Sequence, residues 1–177
     1  MIEAIEERRQ AISDRHPVWE EMTLDAYLAR AQRHFAAKPL VITDAETLDY
    51  AAVHAQSERF AAALSGLGIA RGDRVGLLLA NYPITVSLMF AIWRVGGVAV
   101  AINTLYAPKD LEYAIREAGC NFLIGMARFG SRRYDLELDA QAPGWRTGAC
   151  AALPELRGGL VYDAEAPDDY ACFRCRA

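Results

Sequence analysis

The stretch Val75-Gly76-Leu77-Leu78-Leu79-Ala80 is apolar at every position, so a strand formed here shows apolar surface on both of its faces. Such a strand is stable in the middle of a sheet covered above and below, which is the setting of a parallel sheet and its crossover helices. The flanking sequence supplies those helices. Upstream, Val53, Ser57, Phe60, Leu64 and Leu67 recur at steps of three and four and predict one buried face of a long helix. Gly66 and Gly68 end it, the second suited to a left-handed cap, and Arg71-Gly72-Asp73 turns the chain into the strand from Arg74 to Ala80. Downstream, Pro83 opens a helix at its first turn, where a missing N–H costs nothing, and that helix ends near Gly96. Val98 to Ile102 then predicts a second strand, again buried on both faces.

The same alternation continues on either side. Thr23 caps a helix whose apolar residues are Leu24, Tyr27, Leu28, Ala31 and Phe35. A strand at Leu40 to Thr43, a turn at Asp44-Ala45-Glu46 and an extended piece at Thr47 to Asp49 follow. Pro108 opens a helix with Leu111, Ala114, Ile115 and Ala118 facing inward, a Glu112–Arg116 pair outside and Gly119 as its stop. A strand from Asn121 to Gly125 comes next, then a weaker polar stretch from Met126 to Gly148 with a helix around Tyr134 to Ala142, and a last strand at Leu160 to Tyr162. Alternating strands and helices with short connections define an α/β fold with a largely parallel sheet. The expected organisation is one unit over residues 1–162 and a tail, 163–177, without apolar period.

Composition narrows the function classes. The chain has 177 residues, 53% apolar and 24% charged, with a formal net charge of −4. A disordered chain is poorer in apolar residues, and a nucleic-acid binder carries a basic excess, so neither class fits. Residues Ile84 to Ile102 carry only one charge, Arg94, but Gly96-Gly97 divides them into a helix and a strand, and no integral membrane span is expected. Met1 to Gln10 mixes acidic and basic residues rather than forming a secretory signal, which points to the cytoplasm.

Few residues carry a chemical signature. Glycines 66, 68 and 72 follow a helix and precede a strand, the reverse of a dinucleotide-binding turn, and no GxxxxGK[ST] or GxSxG occurs. His16, His34 and His54 are not spaced with other ligands as a metal pair would be, and no metal site is expected. Cys120, Cys150, Cys172 and Cys175 include one CxxC, Cys172 to Cys175, close to the end of the chain; a zinc site needs a second such pair. In an open parallel sheet, ligands approach the carboxyl ends of strands. Asn81 and Asn103 each follow such a strand, so they are the two candidate ligand-facing residues; the alternative is that their side chains bond backbone in the strand-to-helix turns.

Several pieces in order carry a resemblance. Pro39-Leu-Val-Ile-Thr43, Leu48-Asp-Tyr-Ala-Ala-Val53, Leu67-Gly-Ile-Ala-Arg-Gly-Asp-Arg-Val75, Leu79-Ala-Asn-Tyr-Pro83, Ile92-Trp-Arg-Val-Gly-Gly97, Ile102-Asn103 and Leu111-Glu112-Tyr113 together resemble the amino-terminal part of the AMP-forming acyl-CoA synthetases. That superfamily also includes luciferase and the adenylation domains of peptide synthetases. The likeness runs from about His16 to about Tyr162 and is specific as a set. Asp49 and Ala52-Val53 depart from the family's usual Thr and Glu-Leu, and Ala101 stands where the family generally has Pro.

The resemblance implies a protein that binds ATP with magnesium, joins a carboxylate to AMP and passes the acyl group to CoA. The acid it implies is a fatty or an aryl acid. The family's Ser/Thr-Gly-rich phosphate loop ending in P-K-G, its ribose-holding acidic motif and its catalytic Lys do not occur in these 177 residues. Phosphoryl transfer depends on amides and cations around the phosphates. The expectation is therefore a truncated or frame-shifted amino-terminal portion of a ligase, with no catalytic residue, no cofactor of its own, and self-association through uncovered surfaces. A non-catalytic ligand-binding module, or one subunit of a split ligase, is the alternative, and a redox or metal role for Cys172 and Cys175 a third.

Overall fold

The computed structural model describes residues 2–15, 21–44, 46–165 and 173–174. Two helices come first, α1 (Ile2–Arg15) and α2 (Leu24–Phe35), then a two-strand antiparallel ribbon, β1 (Pro39–Ile42) and β2 (Thr47–Asp49). The alternating part follows: α3 (Tyr50–Gly66), β3 (Arg74–Leu78), α4 (Pro83–Arg94), β4 (Val98–Ala101), α5 (Pro108–Glu117) and β5 (Phe122–Met126). A short antiparallel hairpin, β6 (Arg128–Phe129) and β7 (Arg132–Arg133), leads into α6 (Tyr134–Gln141), and β8 (Gly158–Tyr162) and β9 (Phe173–Arg174) complete the order.

The main sheet runs β4-β3-β5-β8-β9, parallel through the first four strands and antiparallel at β9. This is the α/β fold read from the sequence. The chain leaves β3 for β4 on one side and then crosses back to β5 on the other. With right-handed crossovers, α4 lies on one face of the sheet and α5 and α6 on the opposite face. Contacts agree: α2, α3 and α4 pack on one another, and α5 packs on α6.

Local chemistry explains the element ends. Thr23 Oγ1 accepts the Ala26 N–H at 3.2 Å and starts α2, as expected. Asp49 starts α3 by accepting the Ala52 N–H at 2.7 Å, so the departure from Thr at this position keeps the cap. Gly68, at φ +80°, ends α3 in the left-handed conformation that a side chain rarely adopts, while the Ile69 N–H reaches the Leu64 carbonyl at 3.1 Å. Small residues let α3 and α4 approach closely: Ser57, Ala61, Ser87 and Ala91 are buried, and Ser87 Oγ donates to Gln56 Oε1 at 2.8 Å.

Three readings need correction. β4 is an edge strand, with Val98 45% exposed, because the chain crosses back over β3 and, among the described residues, no strand pairs on its far side. Leu67 lies just past the end of α3 and is 46% exposed, so the buried face stops at Leu64. On α2 only Leu28 and Ala31 are buried; Leu24, Tyr27 and Phe35 face solvent.

The weak stretch after β5 holds more core than its pattern indicates. Trp145, Cys150, Leu153 and Leu156 are buried in a run of turns, and the Trp145 N–H donates to Asp139 Oδ1 at 2.9 Å. Gly159 makes room for that ring, since a Cβ there would drive into it. The stretch Ile84 to Ile102 is α4 followed by β4, and no helix among the described residues is long and apolar enough to cross a membrane.

Candidate functional site

Parallel pairing of β3 with β4, Leu77 opposite Ala101, brings the turns at their carboxyl ends side by side. After β3, the Ala80 carbonyl accepts the Tyr82 N–H at 2.7 Å and the Thr85 hydroxyl at 3.2 Å, and Pro83 is the first residue of α4. After β4, Asn103 Oδ1 accepts the Leu105 N–H at 2.9 Å, and Pro108 is the first residue of α5. Asn81 and Asn103 both line the resulting cleft of about 620 Å³, together with Met89, Thr104 and Phe129. Their amides differ in use. Asn103 spends its oxygen on its own turn, whereas the Asn81 amide has no hydrogen bond among the described residues and is exposed.

Two aromatic residues, Tyr82 and Phe129, line the cleft, with Tyr162 against the first of them. The Tyr82 ring stands 5.2 Å from that of Tyr162 and 6.4 Å, edge-on, from that of Phe129, and its hydroxyl donates to the Arg128 carbonyl at 3.3 Å. Burial, with lesser help from Tyr134 and Asp163 and against Arg128, raises the Tyr82 pKa above its usual value. Tyr82, Phe129 and Tyr162 come from three separate loops and strands, so no periodicity could have joined them.

A second missed group centres on Arg132. Its guanidinium meets the Glu137 carboxylate at 2.7–3.0 Å, donates to the carbonyls of Thr104 at 2.8 Å and Tyr106 at 2.6 Å, and lies 4.4 Å over the Tyr134 ring. The Tyr134 hydroxyl also donates to the Thr104 carbonyl, at 2.8 Å. The Glu137 hydrogen bonds raise the Arg132 pKa further, outweighing its partial burial. In sequence, Arg132 is one of several arginines in a stretch without pattern.

The cleft carries no charged side chain among its lining residues. ATP with magnesium needs cations at its phosphates and carboxylates at its metal, so these residues do not fit that group. They fit an apolar or aromatic body with a polar end that amides can bond. A neighbouring polar recess of about 370 Å³ holds Arg128, Arg133 and Arg146, which pair with Glu165, Asp135 and Asp139 respectively. These arginines are neutralised within the fold and offer an anion little.

Other candidate chemistry lies elsewhere. His54 Nε2 is 3.2 Å from Arg94 Nη2, and Arg94 in turn pairs with Asp25 at 2.8 Å and Glu58 at 3.2 Å, a link between α2, α3 and α4. His34 is exposed. Cys120 is buried, and burial pushes its thiol up to about 11. His16, Cys172 and Cys175 lie outside the described residues. Among those residues no group of three or more His, Cys, Asp and Glu is arranged to hold a metal ion.

Known proteins match this chain along most of its length. The family model of the AMP-binding enzymes matches residues 28–173. The mitochondrial medium-chain acyl-CoA ligase ACSF2 of Danio rerio is 28% identical over 162 residues, which cover 88% of this chain and 27% of that protein. The long-chain-fatty-acid–CoA ligase of Salmonella typhimurium is 33% identical over 103 residues, 56% of this chain and 18% of its own. Among solved structures, the anthranilate CoA ligase AuaEII in complex with anthranoyl-AMP superposes with a TM-score of 0.67 at 25% identity, covering 82% of this chain and 26% of that one. The fatty acyl CoA synthetase of Mycobacterium tuberculosis gives 0.66 at 25% identity, covering 78% and 26%. The chain thus spans about a quarter of the length of ACSF2 and of these two solved chains. With the order of motifs, the four parallel strands and these matches in agreement, the chain belongs to the AMP-binding enzyme family.

Proposed function

We propose that this chain is the amino-terminal sheet of an ATP-dependent acyl-CoA synthetase whose acid is a fatty or aryl carboxylate, and that it does not adenylate an acid by itself. In this reading residues 1–162 form the body of the unit and 163–177 its tail, from which β9 pairs with β8. ATP, magnesium and CoA are cofactors and partners of the whole enzyme. The observation that carries the reading is the uncharged cleft at the carboxyl ends of β3 and β4, set in a chain whose family match extends over residues 28–173. A site that can accommodate an apolar body but has no cation for a phosphate supplies at most part of an adenylating centre.

One further observation supports a partner polypeptide. On the face covered by α3 and α4, an apolar groove of about 300 Å³ runs between Phe60, Leu64 and Leu67 and the sheet residues Ile124 and Leu160. Relatives about four times as long have chain available to fill it. The groove is thus the docking face for the remainder of a ligase domain, and in its absence a second copy competes for it.

The test mixes the purified chain with ATP, magnesium, hydroxylamine and a panel of fatty and aryl acids. The expected result is no hydroxamate from the chain alone, and hydroxamate once a polypeptide carrying the rest of a relative's ligase domain is added. Hydroxamate from the chain alone would overturn the incompetence claim. No product in any combination, with a monodisperse monomer that does not bind the added polypeptide, would favour a stand-alone binding module.

A further inference from the structure

We propose that Arg132 is the positioning residue of the cleft, holding its two walls in fixed register across β3. The inference rests on the cleft reading for its functional consequence, while the holding itself is measurable without any ligand.

The first wall is the turn after β4. That turn follows an edge strand and projects Leu105, 85% exposed, and Tyr106, 40% exposed, so apolar burial contributes little to its placement. What remains is hydrogen bonding. The Asn103–Leu105 bond shapes the turn internally but does not tie it to anything else. The ties come from outside: Arg132 Nη1 to the Thr104 carbonyl, Arg132 Nη2 to the Tyr106 carbonyl, and the Tyr134 hydroxyl to the Thr104 carbonyl.

The second wall is the hairpin after β5. Phe129 lines the cleft from β6, and its partner across the hairpin is Arg132 itself. Strand order places β3 between β4 and β5, so one side chain spans from the turn on one side of β3 to the hairpin on the other. A planar guanidinium suits this. Four of its five N–H groups are engaged: Nε and one Nη2 hydrogen on Glu137, the other Nη2 hydrogen on Tyr106 and one Nη1 hydrogen on Thr104. Glu137 and the Tyr134 ring fix the plane of the fork, and Glu137 neutralises its charge. A cation so neutralised and so fully bonded to backbone is arranged to hold the protein's own walls rather than an anionic ligand.

The test is native-state hydrogen exchange on the full chain with Arg132→Lys, and with Glu137→Gln as a milder variant that leaves the arginine in place. Lysine keeps the charge and loses the fork. The expected result is exchange about tenfold faster at the Leu105 and Tyr106 amides in Arg132→Lys, a smaller rise in Glu137→Gln, and unchanged rates in β3 and β5. Unchanged exchange in the turn, or an equal rise at every amide, would overturn the proposal, the second because it would show a general stability role only. If Arg132→Lys does not fold, Glu137→Gln decides by the same criterion. Benzoate and hexanoate titrations of the unaltered chain form a separate arm: failure to bind either counts against the cleft reading and leaves the exchange result to judge Arg132.

Discussion

The turns after β3 and β4 look alike in sequence and are held by different forces. Each places an asparagine after an apolar strand, and each leads to a helix whose first residue is proline. The β3 turn has a neighbouring strand on both sides, so it is braced mainly by packing: Tyr82 sits against Phe129 and Tyr162, with its hydroxyl on the Arg128 carbonyl, and the Asn81 amide has no hydrogen bond among the described residues. The β4 turn stands at the sheet edge, with no further strand beyond it among the described residues. It is braced by polar contacts, from Asn103 within and from Arg132 and Tyr134 without. Position in the sheet, rather than local sequence, sets which kind of force holds a turn. The central turn leaves its whole amide available for a ligand, while the edge turn uses its amide oxygen to hold itself.

The contrast is open to measurement, with the largest effect expected in the packed turn. Tyr82→Ala removes a half-buried ring and its two aromatic neighbours' contacts, and should cost about 2–3 kcal/mol in urea unfolding. Tyr106→Ala, in the polar turn, should change stability by no more than about 0.5 kcal/mol. Equal costs would break the distinction. Next in size is Tyr134→Phe, which deletes the buried hydroxyl bonded to the Thr104 carbonyl and should cost about 1 kcal/mol.

The asparagines sharpen the comparison at smaller scale. Asn103→Ala leaves the Leu105 N–H without its acceptor and should cost about 0.5–1 kcal/mol, whereas Asn103→Asp keeps an oxygen there and should come close to wild type. Asn81→Ala should be within about 0.5 kcal/mol of wild type in stability while weakening any carboxylate titration of the cleft. If Asn81→Ala destabilises as much as Asn103→Ala, its amide is structural after all.

The smallest effect at neutral pH concerns Cys120, buried at the opposite end of the sheet, before β5. Its folded pKa of about 11 lies above the ordinary 9.0 of the unfolded thiol, so the folded state favours the protonated form. Its contribution to stability is complete below pH 9 and is lost as pH rises from 9 toward 11. Alkylation of the native thiol should accordingly stay slow at pH 9 and accelerate only near pH 11. Fast alkylation at pH 8 would show that the amino end of β5 opens readily.

Legibility followed periodicity. The helices α2 to α5 and strands β3 and β5 were readable because a regular apolar period, a proline at the first helical turn or a glycine at the last announces each of them. The β6–β7 hairpin and the turns holding Trp145, Leu153 and Leu156 were not, because irregular backbone buries side chains at no fixed interval. Asp49 as a helix cap was hidden by the expectation of threonine, although either side chain offers an oxygen to the same N–H. Of the site, Asn81 and Asn103 were legible from their place after strands. Arg132 and Tyr134 were not, because their partners at Thr104 and Tyr106 lie 26 to 30 residues away and are backbone carbonyls, which leave no mark on residue type, and Glu137 acts only through Arg132.

The sequence by itself determined the α/β class, the direction of the main strands, the ends of most of the principal helices and membership in the AMP-binding enzyme family. Each of these depends on residues near one another in the chain or on the order of short motifs. Only the tertiary structure decided that β4 is an edge, that the Asn103 oxygen is spent and that of Asn81 is not, and that one arginine bonds the turn after β4 from the hairpin after β5. Those outcomes follow from strand order, and strand order is fixed by which way each crossover helix packs, a contact between distant parts of the chain that no local pattern records.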